Sequence, residues 1–251
     1  MLTNATIEKL DELRLSGMQH AYREQLQGQG YDGLTFDERF GFIVDREHTE
    51  RHNRRLQTRL RNARLRLSAT IEDIDYRAQR GLDKREMLSL ANCDWIRQHH
   101  NVIVTGPTGA GKTYLACALG NKACRDGFTV QYHRVPRLFS ELAIAKGDGR
   151  YSKLLTALAK TDLLILDDWA TALLTDEQRK DLFEIAEDRY GRRATLLAAQ
   201  LPVKHWHDTI GDPTLADAIL DRLVHNAYTI TLKGESMRKK KNDLNKTEDN
   251  R

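Results

Sequence analysis

Residues 106–113 read GPTGAGKT and bring together what a phosphate ligand requires. Gly109 and Gly111 let the backbone wrap closely around phosphate oxygens, with N–H groups turned inward. Lys112 is a cation long enough to reach β- and γ-phosphates, and Thr113 offers a hydroxyl to Mg²⁺. The spacing fits G-x-x-x-x-G-K-[ST]. Gly106, Gly109, Ala110, Gly111, Lys112, Thr113 and Tyr114 are therefore the expected nucleotide-binding positions. A second signal is LLILDD at 163–168, four apolar residues running into two acids. Asp167 is expected to share the Mg²⁺ with Thr113, and Asp168 to polarise the attacking water. Taken alone, two adjacent acids would mark only a strand-end turn with helix-capping duty; beside a phosphate loop they read as catalytic.

Such residues need a strand that ends in the loop and a helix that begins there. NVIVTG (101–106) reads as that strand and TYLACALGNKAC as that helix. Further strand-like runs occur at TVQYHRV (129–135), LLILDD (163–168), ATLLAA (194–199) and YTITL (228–232), separated by helix-length segments. Alternating strands and helices predict a parallel sheet covered on both faces, an α/β class. Before residue 75 the grammar is different. Ile7, Leu10, Leu13, Met18, Tyr22 and Leu26 recur at helical spacing, and TFDE at 35–38 is a capping box in which Thr35 and Glu38 serve each other. The expected organisation is a helical N-terminal domain (1–75), an α/β core (76–240) and a charged, disordered tail (241–251).

The chain has 251 residues, 40% apolar and 30% charged, with a net charge of +4. Its mean hydropathy of −0.62 suits a soluble protein. The positive charge is local. TERHNRRLQTRLRNARLRL, residues 49–67, holds seven arginines, and without them the rest of the chain is net negative. A solvated helix face is the ordinary explanation of such a run, but no acid lies between residues 51 and 66 to balance it. Arginine forks fit phosphate oxygens, so Arg51, Arg54, Arg55 and Arg59 are expected to grip nucleic acid. The segment 49–67 has no aromatic residue for base stacking, which favours the duplex backbone with little sequence preference. Cys93, Cys117 and Cys124 form no CxxC pair and read as reduced core residues. No signal-peptide core or membrane-span-length run is present, so a cytoplasmic protein is expected.

DLLILDDWA, LLAAQLPVKHW, ILDRL and GESMR, in that order behind the phosphate loop, resemble the IstB-type transposition helpers. These ATPases are relatives of the DnaC-type helicase loaders within the AAA+ group, and the resemblance runs from about residue 5 to 240. It implies a P-loop AAA+ three-layer core with ATP and Mg²⁺ as ligands; the 19 residues after YTITL are too few for the helical lid many AAA+ proteins carry, so no C-terminal lid domain is expected. It further assigns Gln200 as sensor of the γ-phosphate, where asparagine is common. Arg222 would be an arginine finger completing a neighbouring subunit's site, and Arg238 a second phosphate-sensing arginine. Asp168 stands where many such ATPases have glutamate; one methylene less predicts slow hydrolysis, suited to a timed switch. In initiator and loader relatives the region matching AIAKGDGRYSK (143–153) touches DNA, which would make Lys146, Arg150 and Lys153 contacts; an ordinary polar loop is the alternative. The implied partners are duplex DNA, a cognate DDE transposase and further copies of the chain in an ATP-dependent ring or filament. Competing functions are a helicase loader binding single strands, a small-metabolite kinase working as a monomer, and a DNA-binding scaffold that holds ATP without hydrolysing it.

Overall fold

A computed structural model describes residues 2–237 except 29, 32, 79 and 235. The chain forms two compact units, Met1–Thr58 and Arg59–Arg251. The sequence suggested a division near residue 75; residues 59–75 instead belong to the second unit.

The first unit contains α1 (Leu2–Glu12), α2 (Ser16–Gln27) and most of α3 (Phe36–Ala63), a single helix of 28 residues. The capping box starts α3 as expected. Thr35 N donates to Glu38 Oε2 at 2.8 Å, and Glu38 N donates to Thr35 Oγ1 at 3.3 Å. Glu47 ties α3 to α2. Its carboxylate accepts from Gly17 N at 2.7 Å, from Met18 N at 3.1 Å and from Arg51 Nε. Burial alone would raise this carboxyl's pKa, but Arg51 and the two amides outweigh it and hold it below the usual carboxylate range.

In the second unit, α4 (Lys84–Ala91) and α5 (Asp94–Arg97) precede β1 (Asn101–Thr105), which leads through the phosphate loop into α6 (Lys112–Arg125). Then come β2 (Val130–Arg134), α7 (Val135–Gly147), α8 (Tyr151–Lys160), β3 (Leu163–Trp169), α9 (Asp176–Arg189) and β4 (Ala194–Ala199). A short 3-10 turn, α10 (Trp206–Ile210), α11 (Pro213–Val224) and β5 (Ala227–Thr231) complete it. All five strands are parallel, in the order β2-β3-β4-β1-β5.

Alternation along the strands builds the layers. Ile103, Leu164, Leu166 and Leu197 pack on one face with Leu138 and Leu142 of α7, Leu182 and Ile185 of α9 and Ile219 of α11. On the other face α6 comes close enough that a Cβ at Gly120 would lie 2.8 Å from Ile165 Cδ1. The four residues of LLIL are each at most 1% exposed, and each contributes about 2 kcal/mol by its burial. Among the described residues no helix is long and apolar enough to cross a membrane. The three cysteines are free and buried, and burial pushes the Cys93 thiol up to about 12 and Cys124 to about 11, so both stay protonated.

Candidate functional site: a phosphate loop facing a bulged acidic strand

β1 delivers the loop and β3 delivers the acids at the same C-terminal edge of the sheet, with β4 between them. Gly109 and Gly111 have φ of 83° and 102°, a region costly for side-chain-bearing residues. Gly109 is also covered: a Cβ there would lie 2.1 Å from Ser236 Oγ, and Met237 N donates to its carbonyl at 2.9 Å. Thus Ser236 and Met237 lie over the loop, while Glu235 and Arg238 fall outside the described residues. Lys112 Nζ donates to the carbonyls of Gly106 at 2.7 Å and Pro107 at 2.9 Å, which brings the ammonium over the loop's mouth. Ala110 is fully buried, and its carbonyl accepts from Arg80 Nη1 at 3.1 Å.

β3 carries an irregularity where it meets β4. Leu166 pairs with Leu197 but Trp169 pairs with Ala199, so one extra residue lies on β3. That bulge contains Asp167 and Asp168, and Asp168 adopts φ of 57°. The two acids consequently have different surroundings. Asp167 is 1% exposed; its Oδ2 accepts from Thr113 Oγ1 at 2.8 Å and from Tyr132 OH at 2.6 Å. Its Oδ1 accepts from Asp168 N at 2.9 Å. Asp168 is partly exposed and faces cations. Arg134 Nε donates to its Oδ2 at 2.6 Å, and Arg66 lies 3.9 Å away. Arg134 reaches it because β2 and β3 place Arg134 in register with Asp167. That carboxylate in turn raises the arginine's already high pKa.

The Thr113 hydroxyl and Asp167 carboxylate fit a magnesium site of the kind completed by nucleotide phosphates and water. Beside the loop a cavity of about 290 Å³ is bordered by Leu67, Tyr114 and Met237 and by the acids Asp73 and Asp75. Its apolar sides and two acceptors suit a nucleoside. Tyr114, one of the expected nucleotide-binding positions, lines this cavity.

The remaining expected residues lie in varied surroundings. Gln200 directly follows β4 at the same sheet edge and is exposed. Arg222, in α11, donates to Glu187 and to the Ala218 carbonyl at 2.8 Å, and lies 5.1 Å from the centroid of the Phe183 ring. Residues 143–153 form no loop: they are the end of α7, a turn and the start of α8. Lys146 there pairs with buried Asp181 at 2.7 Å, Arg150 pairs with Asp148 at 2.5 Å, and Lys153 is exposed. On α3, Arg51 has an acidic partner after all, Glu47, which sits one turn before the arginine run. Arg54 donates to Ser16 Oγ at 2.6 Å, Arg59 donates to the Cys124 carbonyl at 2.8 Å, and Arg55 is exposed.

This arrangement belongs with a sequence match: residues 8–245 fit the family described as IstB-like ATP binding protein. The chain belongs to that family. A relative in Sinorhizobium fredii, named as an insertion sequence ATP-binding protein, is 52% identical over 239 residues, 95% of this chain and 98% of its own. Among solved structures, a DnaI crystal structure has a TM-score of 0.58 at 20% identity, over 66% of this chain and 91% of that chain. The DnaC helicase loader has 0.54 at 17% identity, over 66% of this chain and 97% of that chain. These likenesses show the AAA+ fold. The IstB-family chain is an AAA+ ATPase with its phosphate loop on β1 and its acids on β3.

Tyr132, Arg134, Arg80 and the Asp73–Asp75 pair were missed by sequence reasoning. Tyr132 and Arg134 alternate along QYHR, a pattern that reads equally as the outer face of an edge strand. IEDID gave no signal beyond its acids.

Proposed function

We propose that the chain is a cytoplasmic ATP-dependent DNA-binding helper of transposition. With ATP it assembles on duplex DNA and engages a cognate DDE transposase, and hydrolysis releases it. In the chemical step a water oxygen bonds to the γ-phosphorus and the bond from that phosphorus to the β,γ-bridging oxygen breaks. The electron pair leaves on ADP and the water's proton passes toward Asp168. Bound Mg²⁺, held through Thr113 and Asp167, would offset the charge on the β- and γ-phosphate oxygens. Lys112 neutralises the same oxygens, Gln200 orients the γ-phosphate and Arg238 contacts it. Arg222 would leave Glu187 to complete the site of an adjacent subunit.

The observation that carries the DNA half is the exposure of Arg55 and Arg61 on α3, neither with an acidic partner among the described residues. Arg51, Arg54, Arg59, Lys146 and Arg150 would add contacts by exchanging their internal partners for phosphate, and the exposed Lys153 would add one directly. Each such contact is weak and salt-sensitive, and assembly multiplies them. In the first unit Phe36, Phe40 and Phe42 are exposed, which supports protein contacts there.

The test is binding to random-sequence duplex and single-stranded DNA, with ATP, ADP or no nucleotide, while complex mass is recorded. The expected result is salt-steep duplex binding in large complexes with ATP alone. A single-strand preference would move the assignment to a helicase loader, and binding indifferent to nucleotide would break the proposed switch.

A further inference from the structure

β2 is an edge strand: β3 lies on one side of it, and among the described residues no strand pairs with the other. Leu163 N donates to the Thr129 carbonyl at 3.0 Å, so residues 129, 131 and 133 turn their main chain toward β3. Val130 and Tyr132 turn theirs outward, and their N–H and C=O groups have no hydrogen-bond partner among the described residues. An edge of this kind can pair with another extended chain unless something covers it.

Two cavities follow the edge from end to end. One of about 240 Å³ takes in residues 129–131, and one of about 360 Å³ takes in residues 132–134. Their walls are basic. Arg59 and Lys160 border the first, and Arg64, Arg66, Arg134 and Arg137 the second. Glu141, which accepts from Arg137 Nε at 3.2 Å, is the one acid among the lining residues. Burial lowers the pKa of His133, which therefore adds no charge of its own at neutral pH. Arg66 and Arg134 are engaged by Asp168, and Arg59 by the Cys124 carbonyl. The side chains of Arg64 and Lys160 are exposed and have no partner among the described residues.

These cations stand on both faces of the sheet. Residues 59–66 lie on the α6 side, where Arg59 reaches Cys124 and a Cβ at Gly120 would come within 3.0 Å of Leu65. Arg137 and Lys160 belong to α7 and α8, on the opposite side. An added strand would point its side chains alternately to the two faces, so both rows would meet positive charge. Phosphates suit this edge less well than a peptide. Outward carbonyls alternate with outward amides there, and a peptide main chain satisfies both, whereas a phosphate is repelled by the carbonyls.

We propose that the outer edge of β2 is a docking site for an acidic, extended segment of a protein partner. The segment joins the five-stranded sheet as a further strand, and its carboxylates meet Arg64, Arg137 and Lys160. The surface lies outside the nucleotide site and requires neither duplex DNA nor hydrolysis, so it goes beyond the function proposed above.

The test uses the full chain and a fluorescein-labelled octapeptide of alternating glutamate and threonine. Binding is followed by anisotropy, and amide exchange by NMR. The peptide is expected to bind and to slow exchange at the Val130 and Tyr132 amides, while its lysine–threonine counterpart does not bind. R64E/R137E, altered at exposed side chains, should bind about tenfold more weakly with an unchanged melting temperature. R64K/R137K, which keeps the charge, should retain most of the affinity. Absence of peptide binding, or equal affinity in R64E/R137E, would overturn the site. Binding that leaves exchange at Val130 and Tyr132 unchanged would overturn strand addition. Random-sequence duplex DNA that displaces the peptide and slows the same two amides would assign the edge to nucleic acid and overturn a peptide as its occupant. Each of these failures leaves ATP-dependent assembly on duplex DNA standing.

Discussion

Asp167 and Arg55 show two ways in which this chain handles charge. Asp167 is buried at the sheet edge and satisfied by Thr113, Tyr132 and the Asp168 amide. Arg55 stands exposed on α3 with no partner among the described residues. Charge enclosed in hydrogen bonds is positioned to within a fraction of an ångström and is expensive to disturb. Charge facing water costs little to hold and becomes useful only when a polyanion arrives. The first kind suits chemistry and the second suits reversible grip, so the two regions should respond to mutation on different scales.

The largest effect is expected at a residue that would move between the two kinds. Arg222→Ala should lower assembled ATPase activity about a thousandfold. Mixing that protein with Lys112→Ala should restore part of the rate, because the second variant supplies the missing arginine to intact loops. Without such rescue, Arg222 is only the partner of Glu187. Asp167→Asn should cut kcat at saturating ATP by about a hundredfold or more, measured by phosphate release in steady state.

Tyr132→Phe sharpens the comparison, since it removes one bond from the enclosed acid without touching the ligand. About a tenfold loss in kcat and about 1 kcal/mol in unfolding free energy are expected, the latter read by denaturant titration. In the first unit, Glu47→Gln should cost about 1–2 kcal/mol at neutral pH. The wild-type carboxyl has a lowered pKa on folding, so its contribution is complete above the unfolded value of 4.5 and is lost as pH falls through the folded value. The difference between wild type and Glu47→Gln should therefore shrink in acid; a constant difference in melting temperature from pH 7 to pH 3 would contradict this. The smallest effect belongs to the exposed arm. Arg55→Gln should reduce the salt dependence of duplex binding by about 0.9 in the log–log slope. Its stability should stay within about 0.5 kcal/mol of the wild type.

The same contrast explains what could be read in the sequence. The five strands and the phosphate loop were legible because glycine spacing and apolar runs record backbone requirements directly. The Thr35–Glu38 cap was legible for the same reason. The bulge in β3 was not, since an extra residue at a strand end changes neither composition nor periodicity. Tyr132 and Arg134 were hidden because their importance lies in register across β2 and β3, between residues more than thirty positions apart. Arg51 looked unpaired because its acid precedes the arginine run. The polar-loop alternative for residues 143–153 arose because glycines and charges at a tight helix corner resemble those of an irregular connection.

The left-handed backbone at Asp168 bears on how this position can change over evolutionary time. Aspartate tolerates that conformation better than glutamate, because its short side chain can hydrogen-bond locally. An exchange to the longer acid would gain a methylene of reach at a backbone cost of about 1 kcal/mol. The chain's shorter acid is thus matched to its bulge, and a lineage adopting glutamate here would have to relax that bulge in the same step or soon after.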